Sequence, residues 1–437
     1  MFKTLGNALK VKEIRNGLLF TFFILIVIRL GCQIPAPGLD NEAIRKFLEE
    51  NLGEANSFIS SFTGGSFTQM SIFALNVTPY ITSSIIIQLL TIAIPALEEL
   101  QKDGDDGRKK ITAITRYVTI LLAVIESLGL AISFDRSNYL TVEGPLGYFL
   151  VIITLTTGSS FVMWLGEKVT EYGVGNGISI ILLINIVSRM PSDFSDLYVM
   201  FIKNKDIVDQ VIAAAIIIAI IIVTVILVVL LQDGVRKIPV QYAQKVQGRR
   251  MVGGHASHIP LKVNTSGVIP VIFASSILSV PSVLMNLFNW KVSGVWAKII
   301  NGMNSNFWFN KSYPWASIGL IVYILLVMFF AYFYTSVTFN PMEVANNMKK
   351  SGGFIPGIRP GKPTQDYLNK ILNYIVFIGA IGLIIVAIIP IFFNGMFKAN
   401  VSFGGTSLII IVGVIIETVK QIESKMIVRN YSGFLND

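Results

Sequence analysis

Few residues in this 437-residue chain are equipped for chemistry. It carries one cysteine, Cys32, and two histidines, His255 and His258, which excludes a disulfide framework or a thiolate metal cluster built by this chain alone. No HExxH, GxSxG or P-loop pattern occurs, and no apolar stretch holds paired carboxylates. Glu126 is the one acid well inside an apolar block, and ionisable groups at membrane depth are functional candidates by default. A proton-coupled carrier normally shows more than one such group, so Glu126 reads as facing the interior of a helix bundle or sitting protonated against a neighbour. Arg29, near the end of the first apolar block, reads as snorkelling to the outer headgroups. His255 and His258 lie in a basic loop and read as solvated. No catalytic residue, metal ligand or cofactor is expected.

The more distinctive chemistry is polarity placed inside apolar segments. Residues Leu75 to Leu90 mix Val77, Ile81 and Ile85 at helical spacing with Thr78, Thr82, Ser83 and Gln88, and Pro79 permits a kink near the start. The seventh apolar block has a similar mix in Pro270, Ile272, Ser275, Ser276 and Pro281. Spans of this kind face other helices or water rather than lipid. The segment from Ser57 to Met70 is semi-apolar, rich in small residues and too short to cross a bilayer. Its Gly64-Gly65 pair weakens or ends a short helix. It reads as an interfacial helix or, the favoured reading, a half-helix dipping back into the protein, where irregular backbone at membrane depth has protein or a water-filled cavity around it.

The elements that must position these residues follow from hydropathy and charge. The chain is 53% hydrophobic and only 14% charged, too few charges to clothe so much apolar surface in water. Apolar blocks fall near 17–34, 71–94, 112–133, 147–166, 175–190, 210–231, 267–288, 316–338, 371–393 and 405–418. The fifth and tenth are short but read as full crossings among eight firmer ones. With ten crossings, 24 of the 35 Lys and Arg residues fall on one side, which the positive-inside rule makes cytoplasmic, both termini included. The first block has no small-x-small cleavage pattern after it and reads as a retained span. The two largest segments on the basic side, 232–266 and 339–370, are longer than bare connections require. Ten spans divide into five plus five, 1–200 and 201–437, in opposite orientation.

Nine or so motifs then run in one register. They are Ile34-Pro-Ala-Pro-Gly38, Ser71-Ile-Phe-Ala-Leu75 with Pro79-Tyr-Ile81 and Ser84 to Leu90, Gly107-Arg-Lys-Lys110, Trp164-Leu-Gly-Glu167 and Gly175-Asn-Gly-Ile-Ser179. Gln247-Gly-Arg-Arg250, Leu261-Lys-Val-Asn264 with Gly267-Val-Ile-Pro270, Ser351 to Gly361, and Phe403-Gly-Gly-Thr-Ser407 complete them. With these the chain resembles the SecY/Sec61α family of protein-conducting channels, in its bacterial form.

The resemblance implies an all-α polytopic membrane protein of ten transmembrane helices, in two pseudo-symmetric inverted five-helix halves around a central hourglass pore. It places an aliphatic constriction on Val77, Ile81, Ile178, Leu182, Ile272 and Ile410. Valine and leucine stand for isoleucine at two of these positions and keep the branched apolar character. It makes 57–69 a plug, with Phe58, Ile59, Phe62, Gly64, Gly65 and Phe67. It sets a lateral gate between spans two and seven, at Ser83, Ser84, Gln88, Ser275 and Ser276. It gives Arg249, Arg250 and Arg359 to loops that dock the SecA motor ATPase or the ribosome, rRNA included. Further partners implied are the small membrane subunits SecE and SecG, unfolded polypeptides bearing signal sequences, and lipid. The location implied is the bacterial cytoplasmic membrane. The competing reading is a solute carrier using Glu126 and Arg29, which would need polar groups where these aliphatic ones stand.

Overall fold

The computed structural model describes residues 10–51, 60, 62–142, 144–201, 207–242, 245–247, 250–252, 256–287, 294–304, 308–309, 314–397 and 405–433. Phe58, Ile59, Arg249 and His255 fall outside them. Each of the ten apolar blocks falls on a helix: α1 (Lys12–Gly31), α3 (Thr78–Ala93), α5 (Asp105–Arg136), α6 (Pro145–Tyr172), α7 (Gly177–Phe201), α8 (Ile207–Asp233), α9 (Ile269–Leu287), α11 (Ile318–Thr338), α13 (Lys362–Phe397) and α14 (Gly405–Gly433). Four shorter helices join them: α2 (Asn41–Asn51), α4 (Pro95–Lys102), α10 (Val295–Met303) and α12 (Pro341–Lys350).

By length and composition, seven helices among the described residues are apolar enough to cross a bilayer, and the bent pair α3 and α4 makes eight. The seventh block forms the shorter α9, and α14 carries Lys420, Glu423 and Lys425 in its second half. The bend of 104° between α3 and α4 sits at Pro95. Proline cannot continue the helix before it, and Ile94 is accordingly extended.

Three expectations change. The fifth block is not short: α7 runs for 25 residues, because Arg189, Pro191 and Asp193 break its apolar pattern without breaking its helix. The second block loses its first turn or two, since residues 71–77 form turns and the helix begins at Thr78. There Asn76 adopts φ +48°, a left-handed conformation that no helix continues through. The third change concerns the basic segment 232–266, which is not simply a loop. Strands β1 (Val235–Tyr242) and β4 (Ala256–Lys262) pair antiparallel, with Ile238 opposite Ile259, and β2 (Lys245–Gln247) pairs β3 (Arg250–Val252) farther out. Strand β5 (Gly353–Phe354) adds to β1, giving the order β4-β1-β5 and tying the two large basic-side segments into one sheet. Alternation buries Ile238 and Val240 on one face, against Leu261, Met348, Ile355 and Leu368.

Two of the apolar clusters among the described residues flank the centre of the bundle. One joins α1, α3, α6 and α7, and the other joins α8, α9, α11 and α13. Helix α14 feeds both, with Ile410 and Val414 in the first and Leu408 and Ile409 in the second. The faces turned away from these clusters carry exposed Leu, Ile and Phe, as expected where lipid is the solvent.

Candidate functional site

A cavity of about 770 Å³ lies between the two clusters' helices. Its walls are Thr78, Ile81, Thr82, Ile85, Ile86 and Leu89 of α3, Leu182 of α7, Ile272, Phe273 and Ser276 of α9, and Ile409, Ile410 and Val414 of α14. Four of the six expected constriction residues therefore meet at one space. Val77 and Ile178 are buried in the adjoining cluster, where Ile81, Leu182 and Ile410 pack with them. Ile272 joins the set through the shared cavity wall. A second part of the lining is polar: Gln232, Lys262, Asn264, Thr265, Glu417 and Lys420. Asn264 is only 5% exposed, and both polar atoms of its side chain lack partners among the described residues.

Small residues set this geometry. A Cβ on Gly166 would stand 2.4 Å from Ile178 Cδ1, and one on Gly177 would stand 1.9 Å from Gly166 O. These glycines let α6 and α7 approach closely enough to aim Ile178 at the cluster. On the α3 side, Asn76 holds the turn before Val77. Its Oδ1 accepts from Val77 N at 3.0 Å, and its carbonyl accepts from Ser159 Oγ of α6 at 2.9 Å.

The segment before that turn packs against the cluster from outside. Residues 60, 62 and 63 are helical, and the helix stops at Gly64, where φ is +65°. Gly65 N–H donates back to Ser60 O at 3.0 Å, the closing bond of a Schellman turn. Phe62 packs on the constriction cluster and lines the cavity, while Phe67 is buried in a separate cluster with Ile44, Met70 and Leu155. Among the described residues, Gly65 meets nothing a Cβ would touch. Arg29 does not snorkel outward. It is half-buried, and its Nη1 donates to Gly64 O at 3.2 Å. Inward rotation wins because the end of this helix offers carbonyls without helical partners. Asn185 of α7 donates to Phe62 O at 3.0 Å. Its only sequence signal is an amide inside an otherwise apolar run.

The expected gate residues divide. Ser276 lines the cavity. Ser83 is turned away from it: its Oγ donates to Thr115 O of α5 at 2.8 Å and pairs with the Thr119 hydroxyl. Ser275 hydrogen-bonds Tyr323 of α11. Ser84 is half-buried and not part of the lining. The α3 face on the cavity is instead Thr78, Thr82, Ile85, Ile86 and Leu89, a helical stripe one step out of phase with the serines. Gln88 reaches elsewhere, accepting a 2.9 Å hydrogen bond from the Tyr334 hydroxyl of α11. Nothing in the sequence singles out Tyr334.

On the sheet side, Arg359 is exposed in the turn between β5 and α13, and its carbonyl accepts from Thr364 Oγ1 at 2.9 Å. Gly357 at φ +83° and Gly361 at φ +106° shape that turn. Arg250 begins β3, and His258 is exposed on β4 opposite Pro239. Glu126 is half-buried on α5 and does not line the cavity.

The sequence model of the SecY family matches residues 71–419 of this chain. The chain belongs to the SecY family. Protein translocase subunit SecY of Streptomyces coelicolor is 43% identical over 450 aligned residues, covering all of both chains. The subunit of the same name from Bacillus subtilis is 40% identical, again over the full length of both. Among solved structures, "The structure of a protein conducting channel" aligns with a TM-score of 0.60 at 20% identity, over 95% of this chain and 94% of that one. A structure described as the plug domain of the SecY protein stabilising the closed state aligns at 0.59 and 19% identity, with the same coverage. A third neighbour, an idle yeast Ssh1 complex bound to the yeast 80S ribosome, aligns at 0.58 and 16% identity, over 95% of this chain and 89% of that one. The family's fold is thus an all-α polytopic membrane protein, as the helices here require.

Proposed function

We propose that this chain is the channel-forming subunit of a protein translocase, passing unfolded polypeptides across a membrane and releasing apolar segments sideways into lipid. The observation that carries this reading is the cavity walled by Ile81, Leu182, Ile272 and Ile410, with Phe62 against it and α3 and α9 on its flanks. A narrow aliphatic collar offers water and ions no hydrogen bonds, so it seals by dewetting. The same collar makes no directional polar contact and accommodates an extended chain of any sequence. Polar groups at this position would suit a solute carrier, and the four walls named are aliphatic.

In this reading the two halves, 1–200 and 201–437, pivot about the connection between α7 and α8. Segment 57–69 is the plug, and the seam between α3 and α9 is the lateral gate. An apolar segment exposed to lipid there partitions by its own transfer free energy. Both termini and the β4-β1-β5 sheet face the cytoplasm of a bacterial cell. Arg359 and the arginines of the 232–266 hairpin contact the SecA motor or the ribosome, where rRNA phosphates suit guanidinium groups. The work comes from those partners, since the chain has no nucleotide motif, and SecE and SecG complete the complex. A cysteine pair placed across α3 and α9 tests the seam: cross-linking blocks export of signal-bearing precursors. Normal export with the seam locked would overturn the lateral-gate assignment.

A further inference from the structure

A helix that ends inside a protein leaves carbonyls without intrahelical partners, and they must be met by other donors. The segment ending at Gly64 has three such carbonyls in a row, and each is met by a side chain from a different place. Phe62 O accepts from Asn185 Nδ2 of α7 at 3.0 Å. Thr63 O accepts from Ser66 Oγ at 2.8 Å and from Asn76 Nδ2 at 3.4 Å. Gly64 O accepts from Arg29 Nη1 of α1 at 3.2 Å. The Ser66 and Asn76 bonds are local, because both residues belong to the same stretch of chain. Those from Arg29 and Asn185 cross to the bundle wall, over 35 and 123 residues of sequence. Contact is close as well: a Cβ on Gly64 would lie 2.7 Å from Arg29 Nη1 and 3.0 Å from Asn185 Cα. A cation at a helix C-terminus also meets the negative end of its dipole.

We infer that Arg29 and Asn185 form a clasp on the backbone of segment 62–64 that holds it in the closed channel and sets how hard an arriving signal sequence must work to displace it. The role assigned to the clasp rests on the plug reading above. Because both donors grip carbonyls, this part of the retention does not depend on which side chains the segment carries, as long as Gly64 keeps its turn.

The test is hydrogen exchange, read by mass spectrometry, on the assembled translocase in lipid nanodiscs, with export of a precursor bearing a defective signal measured in parallel. Arg29→Met and Asn185→Leu each remove one donor, and Arg29→Lys keeps a cationic one. In the first two, backbone exchange over 62–71 is expected to rise about tenfold or more, while exchange over α6 stays unchanged. Export of the defective precursor rises with it, and Arg29→Lys recovers most of both. Unchanged exchange over 62–71 in both donor-removing variants would overturn the clasp. An equal rise over α6 would also overturn it, since the residues would then merely support the bundle. Faster exchange over 62–71 with no gain in defective-precursor export would leave the hydrogen bonds standing and overturn the plug reading instead.

Discussion

Two neighbouring regions of this molecule solve opposite problems with opposite chemistry. The constriction around Ile81, Leu182, Ile272 and Ile410 is aliphatic and makes its contacts by dispersion and exclusion of water. Next to it, the seat of segment 62–64, the proposed plug, is a set of directional hydrogen bonds, from Arg29, Asn185, Ser66 and Asn76 to three successive carbonyls. Phe62 touches both, with its ring on the collar and its carbonyl in the seat. In the proposed function, a surface that slides past any sequence gains nothing from directionality, and a segment that returns to one place after every passage depends on it.

The sharpest way to break this contrast is to make the collar polar. Ile81→Asn combined with Ile410→Asn puts amides where no partners exist, and export of precursors with defective signals is expected to rise about tenfold or more. Ile410→Val, which keeps the collar aliphatic, is expected to change that export little. Unaltered rejection of such precursors by the properly inserted double variant would count against the collar.

The seat is broken most directly at Asn76, fully buried and at φ +48°. Asn76→Ala removes the side-chain bonds to Val77 N and Thr63 O and keeps a Cβ in the left-handed region. The expected cost is ~2–3 kcal/mol, seen as a lower melting temperature of the purified complex. Here the two regions share a hinge, because the same turn aims Val77 into the collar cluster. Between them in size is Gly166→Ala, whose new methyl would meet Ile178 Cδ1 at 2.4 Å. A loss of ~1–3 kcal/mol is expected. Adding Ile178→Val, which deletes that Cδ1, should restore most of it, and a double variant no better than the single one would place the strain elsewhere.

Much of this was legible in residue order, and what was not has a common physical cause. Apolar blocks and basic segments are properties of stretches, so all ten helices were visible as blocks. Four of the six positions that the motifs mark for a constriction, Ile81, Leu182, Ile272 and Ile410, line one cavity, while Val77 and Ile178 are buried in the adjoining cluster. Rotation about a helix axis was not legible. Ser83 looked suited to a polar seam, yet it points at Thr115 and Thr119, and Thr82 with Ile86 takes the seam one step away. Only neighbouring helices decide such a phase. Arg29 misled for a related reason: its acceptor is a backbone carbonyl, and a carbonyl leaves no mark in the sequence. The sheet escaped notice because β5 contributes two residues from a segment more than 90 positions beyond the start of the hairpin it joins.

The smallest expected effect lies at Gln88. Its bond from Tyr334 joins α3 to α11 and so links two helices on opposite sides of the proposed halves. Tyr334→Phe is expected to cost ~0.6–1 kcal/mol of closure. Test segments slightly less apolar than the normal threshold should then enter lipid, as read by protease protection of a series of graded leucine content. A threshold that does not move would assign this bond to packing alone.

The central claim is that an extended polypeptide passes through the aliphatic collar. A photo-crosslinking residue at position 81, in the assembled translocase engaged with a stalled precursor, tests it most directly. Covalent adducts to successive points along the precursor are expected as its stall position is varied. No adduct at any stall position, with the same precursor demonstrably in transit, would contradict it.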